Sequence, residues 1–274
     1  MKTGYAYQEK IFPLTTPLMP PTSPSLWHGM SFFETLVSIK NKTPLLNQHL
    51  ARLFTGLDDI NLSIDSVRIK KETLNLITLI LNHCSDCILR ITLFYHQDTW
   101  PHLGVLENPS VAVFFKEIDP KQTFSPRPIK VSSFENFTPT KIKCKSGQYL
   151  AYSLARKYSL EQGSNAAILV DQNQNIIDGD SFSILAKKNQ QWLTPGHELT
   201  LPSISLAFLS MNLPELNICS QVISLEDLYH MDQVYYLKAT SGVGQIIQLN
   251  KTSLTCNTHD FNLLQSLFLN LYEV

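Results

Sequence analysis

Apolar and polar positions repeat along the chain with two periods, and the switches between them mark the elements. Phe32-Phe33-Glu34-Thr35-Leu36-Val37-Ser38-Ile39 is rich in aromatic and β-branched residues and predicts a strand. The turn Lys40-Asn41-Lys42 leads to a short second strand around Pro44 to Leu46. From Asn47 the period changes, and Leu50, Leu53 and Leu57 recur at helical spacing. A second helix is predicted over Ser66 to His83, with strands at Cys87 to Tyr95 and Ser110 to Phe115. The front of the chain thus mixes strands and helices.

Pro120, Pro126 and Pro128 predict a linker at 118–128, after a first domain of residues 1–117. The remainder, 129–274, reads as a second domain of mostly strands. Strands are expected at Ile129 to Phe134, Ala166 to Val170, Ile176 to Ile177, Ser183 to Ala186, Gln191 to Thr194, Val234 to Lys238 and Gln245 to Leu249. A helix over Ser146 to Gln162 would place Leu150, Ala151, Leu154, Ala155 and Tyr158 on one face, with Gly163 as its C-terminal cap. Shorter helices are expected at Ser205 to Met211 and Leu225 to His230, and a closing helix at Phe261 to Leu271.

Composition narrows the class. The chain has 274 residues, 43% hydrophobic and 16% charged, which is a globular balance. The net charge of −1 gives no reason to expect nucleic acid or an anionic membrane as partner. No apolar run approaches the ~20 residues needed to span a bilayer, so the expectation is a cytoplasmic protein. Five cysteines, an odd number, argue against a disulfide framework. Cys84-Ser-Asp-Cys87 has no second ligand pair at zinc spacing, so ordinary thiols and no metal are expected.

Candidate chemistry starts at Lys141, Lys143 and Lys145, which would share one face of a strand. On the tract alone, a solvated edge explains them. Lys145 is the best placed to react, because the predicted helix starts directly after it. The positive end of a helix disfavours a nearby ammonium, and a lysine with a lowered pKa can form an imine with an aldehyde.

Six segments together resemble the fold-type IV pyridoxal-phosphate enzymes, the family of D-amino acid and branched-chain aminotransferases and aminodeoxychorismate lyase. They are Phe33-Glu34-Thr35-Leu36 after the turn His28-Gly29-Met30; His49-Leu50-Ala51-Arg52-Leu53; Lys145-Ser146-Gly147-Gln148-Tyr149-Leu150; Asp178-Gly179; Leu201-Pro202-Ser203-Ile204-Ser205; and Thr240-Ser241-Gly242-Val243. They follow the family's order over residues 28 to 250. Asp178 stands where the family has Glu, and Ser203 where it has Gly.

The resemblance implies an α/β (α+β) two-domain fold, with a smaller N-terminal α/β sandwich and a larger β-barrel-like C-terminal domain. It implies pyridoxal 5'-phosphate as cofactor and a homodimer with the cofactor in the cleft between domains. It implies Lys145 as the catalytic residue and cofactor lysine. Arg52, Ile204, Ser205, Thr240 and Ser241 would hold the phosphate, Asp178 the pyridine nitrogen, and Phe33 and Gly242 the substrate. The planar guanidinium of Arg52 and amides at a helix start suit a dianion. Glu34 reads as an ion-pair partner, His49 as structural, and Tyr149 and Tyr152 as packing residues. The "FETL" strand, the Thr-Ser-Gly-Val loop and the short chain lie closer to aminodeoxychorismate lyase than to the aminotransferases. An aminotransferase for branched-chain or D-amino acids, or a non-catalytic cofactor-binding relative, are the alternatives.

Overall fold

The computed structural model describes residues 2–62, 64–97, 108–135 and 143–274. In chain order the elements are β1 (Thr3–Tyr7), β2 (Lys10–Phe12), α1 (Pro24–Trp27), β3 (Ser31–Ser38), α2 (Leu46–Asp58), α3 (Ser66–Leu81), β4 (Cys87–Phe94), β5 (Ser110–Glu117), α4 (Pro120–Thr123), β6 (Ile129–Phe134) and β7 (Lys145–Ser146). They continue as α5 (Leu150–Glu161), β8 (Ala166–Val170), β9 (Ile176–Gly179), β10 (Ser183–Lys188), β11 (Gln191–Pro195), α6 (Ile204–Asn212), β12 (Cys219–Gln221), α7 (Leu225–Tyr229), β13 (Gln233–Lys238), β14 (Gly242–Leu249), β15 (Thr252–Ser253) and α8 (Thr258–Tyr272). By contacts the chain forms two compact units, Met1–Pro120 with Ile142–Gln148, and Lys121–Lys141 with Tyr149–Val274.

The first unit is built on a six-stranded sheet of order β2-β1-β5-β4-β3-β7, antiparallel throughout. Alternation along β3 sends Phe32 and Leu36 to one face. There they meet Leu50, Leu53 and Leu57 of α2 and Ile69, Leu76, Ile77 and Ile80 of α3 in one buried cluster. The leucine repeat of α2 is therefore its core stripe, as its spacing predicts. Asp65 caps α3 by accepting from Arg68 N at 2.9 Å.

No strand forms around Pro44. Residues 43–45 turn into α2, with Leu46 N donating to Thr43 O at 3.1 Å. Proline has no N–H to give a ladder, and its fixed φ suits the entry to a helix.

The second unit holds a nine-stranded mixed sheet running β12-β11-β10-β13-β14-β6-β8-β9, with β15 paired to β14. The sheet curls until its ends meet: Ile176 N donates to Ile223 O and Leu225 N to Gln174 O, each at 2.8 Å. This is the barrel-like architecture expected. Its interior holds Val131, Ile168, Ile184, Val234, Tyr236 and Ile246.

Three expectations need correction. The second domain was expected to take everything after 128, but residues 142–148 return to the first unit, because Lys145 and Ser146 pair with β3. The helix expected from Ser146 starts only at Leu150, since that pairing holds the preceding residues extended. Its inward face is also rotated: Ala151 and Ala155 pack against Ala167, Leu169 and Ile177, while Leu150 and Leu154 are 72% and 48% exposed. Small residues let the helix approach the sheet closely, so they, not the leucines, take the inside. Lys141 lies outside the described residues, and Lys143 precedes the strand.

Candidate active site

In the first unit Lys145 lies opposite Phe33 in the β3–β7 register, and Arg90 opposite Thr35 in the β3–β4 register. Paired residues share a face of the sheet. Phe33, Thr35, Arg90 and Lys145 therefore stand on the face opposite to Phe32, Glu34 and Leu36. The Arg90 guanidinium lies over the Phe33 ring, 3.6 Å from its centroid, and Lys145 Nζ is 5.9 Å from the same centroid. An amine, a guanidinium and an aromatic ring thus occupy one small area. The expected position of Lys145 directly at a helix start does not hold; a sheet-edge strand presents it instead.

Glycines let this strand sit where it does. Gly56 of α2 lies against Lys143 and Cys144, and Gly147 donates its N–H to Ser31 O at 2.7 Å. Gly29 has φ +64°, the left-handed conformation that the turn before β3 requires.

Behind Phe33, the other face of β3 carries a buried ion cluster. Arg52 donates from Nε to Glu34 Oε1 at 2.7 Å and from Nη2 to Oε2 at 2.6 Å. His49 Nδ1 lies 2.7 Å from Glu34 Oε2. Glu34 is fully buried and the Arg52 side chain is 11% exposed. Burial alone would raise the Glu34 carboxyl, but the His49 hydrogen bond, the Arg52 charge and the Arg52 hydrogen bonds outweigh it and hold it down at about 2. Burial pushes His49 below its ordinary value, against the pull of Glu34. His49 is therefore neutral near pH 7, with Nδ1–H donating to Glu34 and Nε2 left as a buried acceptor with no hydrogen-bond partner. The ion pair expected for Glu34 and the structural role expected for His49 are the same feature. Glu34 fixes the plane of the guanidinium implied to hold a phosphate.

In the second unit Asp178 sits on β9, opposite Leu169 of β8. Thr200 Oγ1 donates to Ile177 O at 2.6 Å, which ties the Leu201-Pro202-Ser203 turn to the strand bearing Asp178. Ser203 caps α6, accepting from Leu206 N at 3.2 Å. Ile204 and Ser205 form the first turn of this nine-residue helix and are buried. Thr240 and Ser241 form the tip of the β13–β14 hairpin, and Gly242, at φ +76°, opens β14. The side of Gly242 where a Cβ would stand is filled by Gln265. Tyr149 and Tyr152 stack at 4.5 Å. Burial first, and then the Asp178 charge, push the Tyr152 phenol up.

Motif reading missed some charged groups. Arg156 Nη1 donates to Asp180 at 3.0 and 3.1 Å, and Ala167 N to Asp180 Oδ2 at 3.0 Å. Burial, then the Arg156 charge, lower the Lys238 amine, and Asp180 opposes them. No local sequence signal joins residues this far apart. The five cysteines are free thiols. Among the described residues, no group of three or more His, Cys, Asp and Glu could hold a metal, and no helix is long and apolar enough to cross a membrane.

Comparison with known proteins places the chain in a family. The family model for amino-transferase class IV matches residues 31–249, well over half of the chain. The chain belongs to this family, the fold-type IV pyridoxal-phosphate enzymes. The solved structures it resembles include the branched-chain aminotransferase of the archaeon Thermoproteus uzoniensis with norvaline, at TM-score 0.85 and 16% identity, covering 99% of this chain and 96% of that one. An aminotransferase from Brucella abortus bound to its cofactor PLP matches at TM-score 0.83 and 15% identity, covering 99% of both chains. A hypothetical aminotransferase from Mycobacterium tuberculosis, in PLP-bound form, matches at 0.79 and 14%, covering 99% and 98%. No curated protein matches the sequence.

Each unit, taken by itself, carries groups of the kind that pyridoxal phosphate needs. The first unit offers an amine for the aldehyde, Lys145, and a guanidinium held in plane, Arg52. The second offers a helix start at Ile204 and Ser205, hydroxyls on Thr240 and Ser241, and the Asp178 carboxylate.

Proposed function

We propose that this protein is a pyridoxal-phosphate lyase that converts 4-amino-4-deoxychorismate to 4-aminobenzoate and pyruvate. The grouping of Phe33, Arg90 and Lys145 on one sheet face carries the reading. The substrate is a cyclohexadiene ring bearing an amine, a ring carboxylate and an enolpyruvyl ether. Phe33 offers a flat face to the ring, Arg90 a guanidinium to a carboxylate, and Lys145 an amine to act as base.

When bound, the cofactor supplies an electron sink conjugated to the substrate nitrogen. Lys145 would hold the cofactor through its aldehyde. With substrate bound, its amine would take the proton from the ring carbon that bears the nitrogen. The bond from the neighbouring carbon to the enolpyruvyl oxygen breaks, and the ring becomes aromatic. The leaving enolpyruvate takes up a proton at carbon, from Lys145 or a nearby hydroxyl, and departs as pyruvate. Arg52, the start of α6 and the hydroxyls of Thr240 and Ser241 would be the groups that hold the phosphate. Asp178 would keep the pyridine nitrogen protonated. Aromatisation drives the step, so the protein's task is binding, orientation and proton transfer.

An aminotransferase is the second reading, favoured because the similar solved structures described above are aminotransferases. It uses the same lysine but needs a keto acid to complete its cycle. The test has two stages. The purified protein should show a visible absorption band that borohydride removes, with the reduced adduct mapping to Lys145 and absent in Lys145→Ala. Aminodeoxychorismate should then yield 4-aminobenzoate over many turnovers with no keto acid added. Turnover only with a keto acid overturns the lyase in favour of the aminotransferase. A protein that takes up no cofactor overturns both.

A further inference from the structure

We infer that Gln265 is a positioning residue that shapes the Thr240–Gly242 turn to receive the phosphate end of the cofactor. The inference rests on the pyridoxal-phosphate reading above and extends it to a residue outside every motif.

The turn is a three-residue hairpin loop. Lys238 and Gly242 are the last paired residues of β13 and β14. Ser241 N donates back to Lys238 O at 3.3 Å, and Gly242 follows with φ +76°. A turn followed by a left-handed glycine is a standard way to close such a loop. This alone leaves Val243 N–H and Ser241 C=O facing α8, where a buried polar group without a partner is costly.

One side chain answers both. Gln265 is on the inner face of α8 and only 5% exposed. Its Oε1 accepts from Val243 N at 2.7 Å. Its Nε2 donates to Phe124 O at 2.8 Å and to Ser241 O at 3.4 Å. The acceptor and the donors of one amide thus hold both sides of Gly242 and the residue that follows α4. The amide has a single workable orientation, because flipping it would set NH₂ against the Val243 N–H. It also fills the space beside Gly242, so any other residue there would collide with it.

This explains Gly242 by its contact with α8. It also assigns the rigidity of the turn to a residue at the far end of the chain. Hydroxyls and amides bind an anion well only when held in place beforehand, since ordering them on binding would offset the gain. A clamp on both flanks of the loop tip does that without occupying the tip.

The test separates phosphate recognition from general stability. Gln265→Glu keeps the length and the acceptor but loses the donors. Gln265→Met keeps the volume and loses both, and Gln265→Asn keeps a neutral amide one methylene short. The full-length chain, freed of cofactor, is titrated with pyridoxal 5'-phosphate and with pyridoxal, which lacks the phosphate. The readout is the absorption band of the Lys145 linkage, with Tm measured in parallel. Each folded variant should bind pyridoxal phosphate at least tenfold more weakly than wild type and pyridoxal within about twofold of it. Equal weakening of both ligands, or of neither, overturns the inference. So does failure of all three variants to fold, which would make Gln265 a core residue rather than a support of the turn. A wild-type protein that forms no band with either ligand sinks the cofactor reading itself.

Discussion

Gly56 on α2 and Cys144, the residue before Lys145, are in such close contact that a Cβ built on Gly56 would fall 2.5 Å from the Cys144 Cβ and 2.9 Å from the Lys143 carbonyl carbon. In a helix interior, alanine normally stabilises relative to glycine by about 1 kcal/mol. Here the clash includes backbone, and overpacking costs about 1–3 kcal/mol, so the clash wins. Gly56→Ala should lower Tm by several degrees and slow formation of the reducible linkage at Lys145. An unchanged Tm with unchanged linkage would show that the contact does not seat the lysine strand.

The Glu34–His49–Arg52 cluster sets a two-stage acid response. His49 has a folded pKa below 6.5, so as pH falls past 6.5 the unfolded chain takes up a proton first and stability declines. Glu34 is held at about 2 when folded against 4.5 in its ordinary state. Its contribution is complete above 4.5 and is lost as pH falls from 4.5 towards 2. His49→Gln, which can still donate to Glu34, should abolish the decline that begins at pH 6.5 and leave the lower one. Glu34→Gln removes the buried carboxylate that pairs with both Arg52 and His49 and should cost about 3–5 kcal/mol at pH 7. Tm measured from pH 3 to 8 tests both; an identical upper decline in His49→Gln refutes the assignment to that imidazole.

Arg90 should act on substrate rather than cofactor. With its guanidinium on the Phe33 ring at 3.6 Å, Arg90→Leu should raise KM for a carboxylate substrate roughly tenfold, about 1.4 kcal/mol. The cofactor band should be unchanged. Equal loss of cofactor binding would place Arg90 in the cofactor site instead.

Local pattern revealed much of the fold. The β-branched run at Phe32–Ile39 and the leucines of α2 could be read because each element buries one face in a single period. The lysine strand could not: two residues have no period, and the helical signal that follows extended over them. That signal also pointed the wrong way at Leu150 and Leu154, where fit to the sheet favoured the alanines. For the candidate chemistry, motif order proposes Arg52, Lys145 and Asp178. Polar contacts outside the motifs were harder to see. Gln265 reads as an ordinary polar position on an amphipathic helix, and Asp180 and Arg156 meet only through the fold.

The path of the chain between the two units has a consequence for synthesis. A ribosome that has made everything up to Pro120 has produced five strands of the first sheet, yet the outer edge of β3 is still bare. The strand that covers it comes only after β6 has been translated. Until then the nascent protein exposes an unpaired edge, a common starting point for aggregation. A fragment cut at Pro120 would keep that edge permanently and would lack its amine, so a stretch that carries the whole first unit must also carry residues of the second.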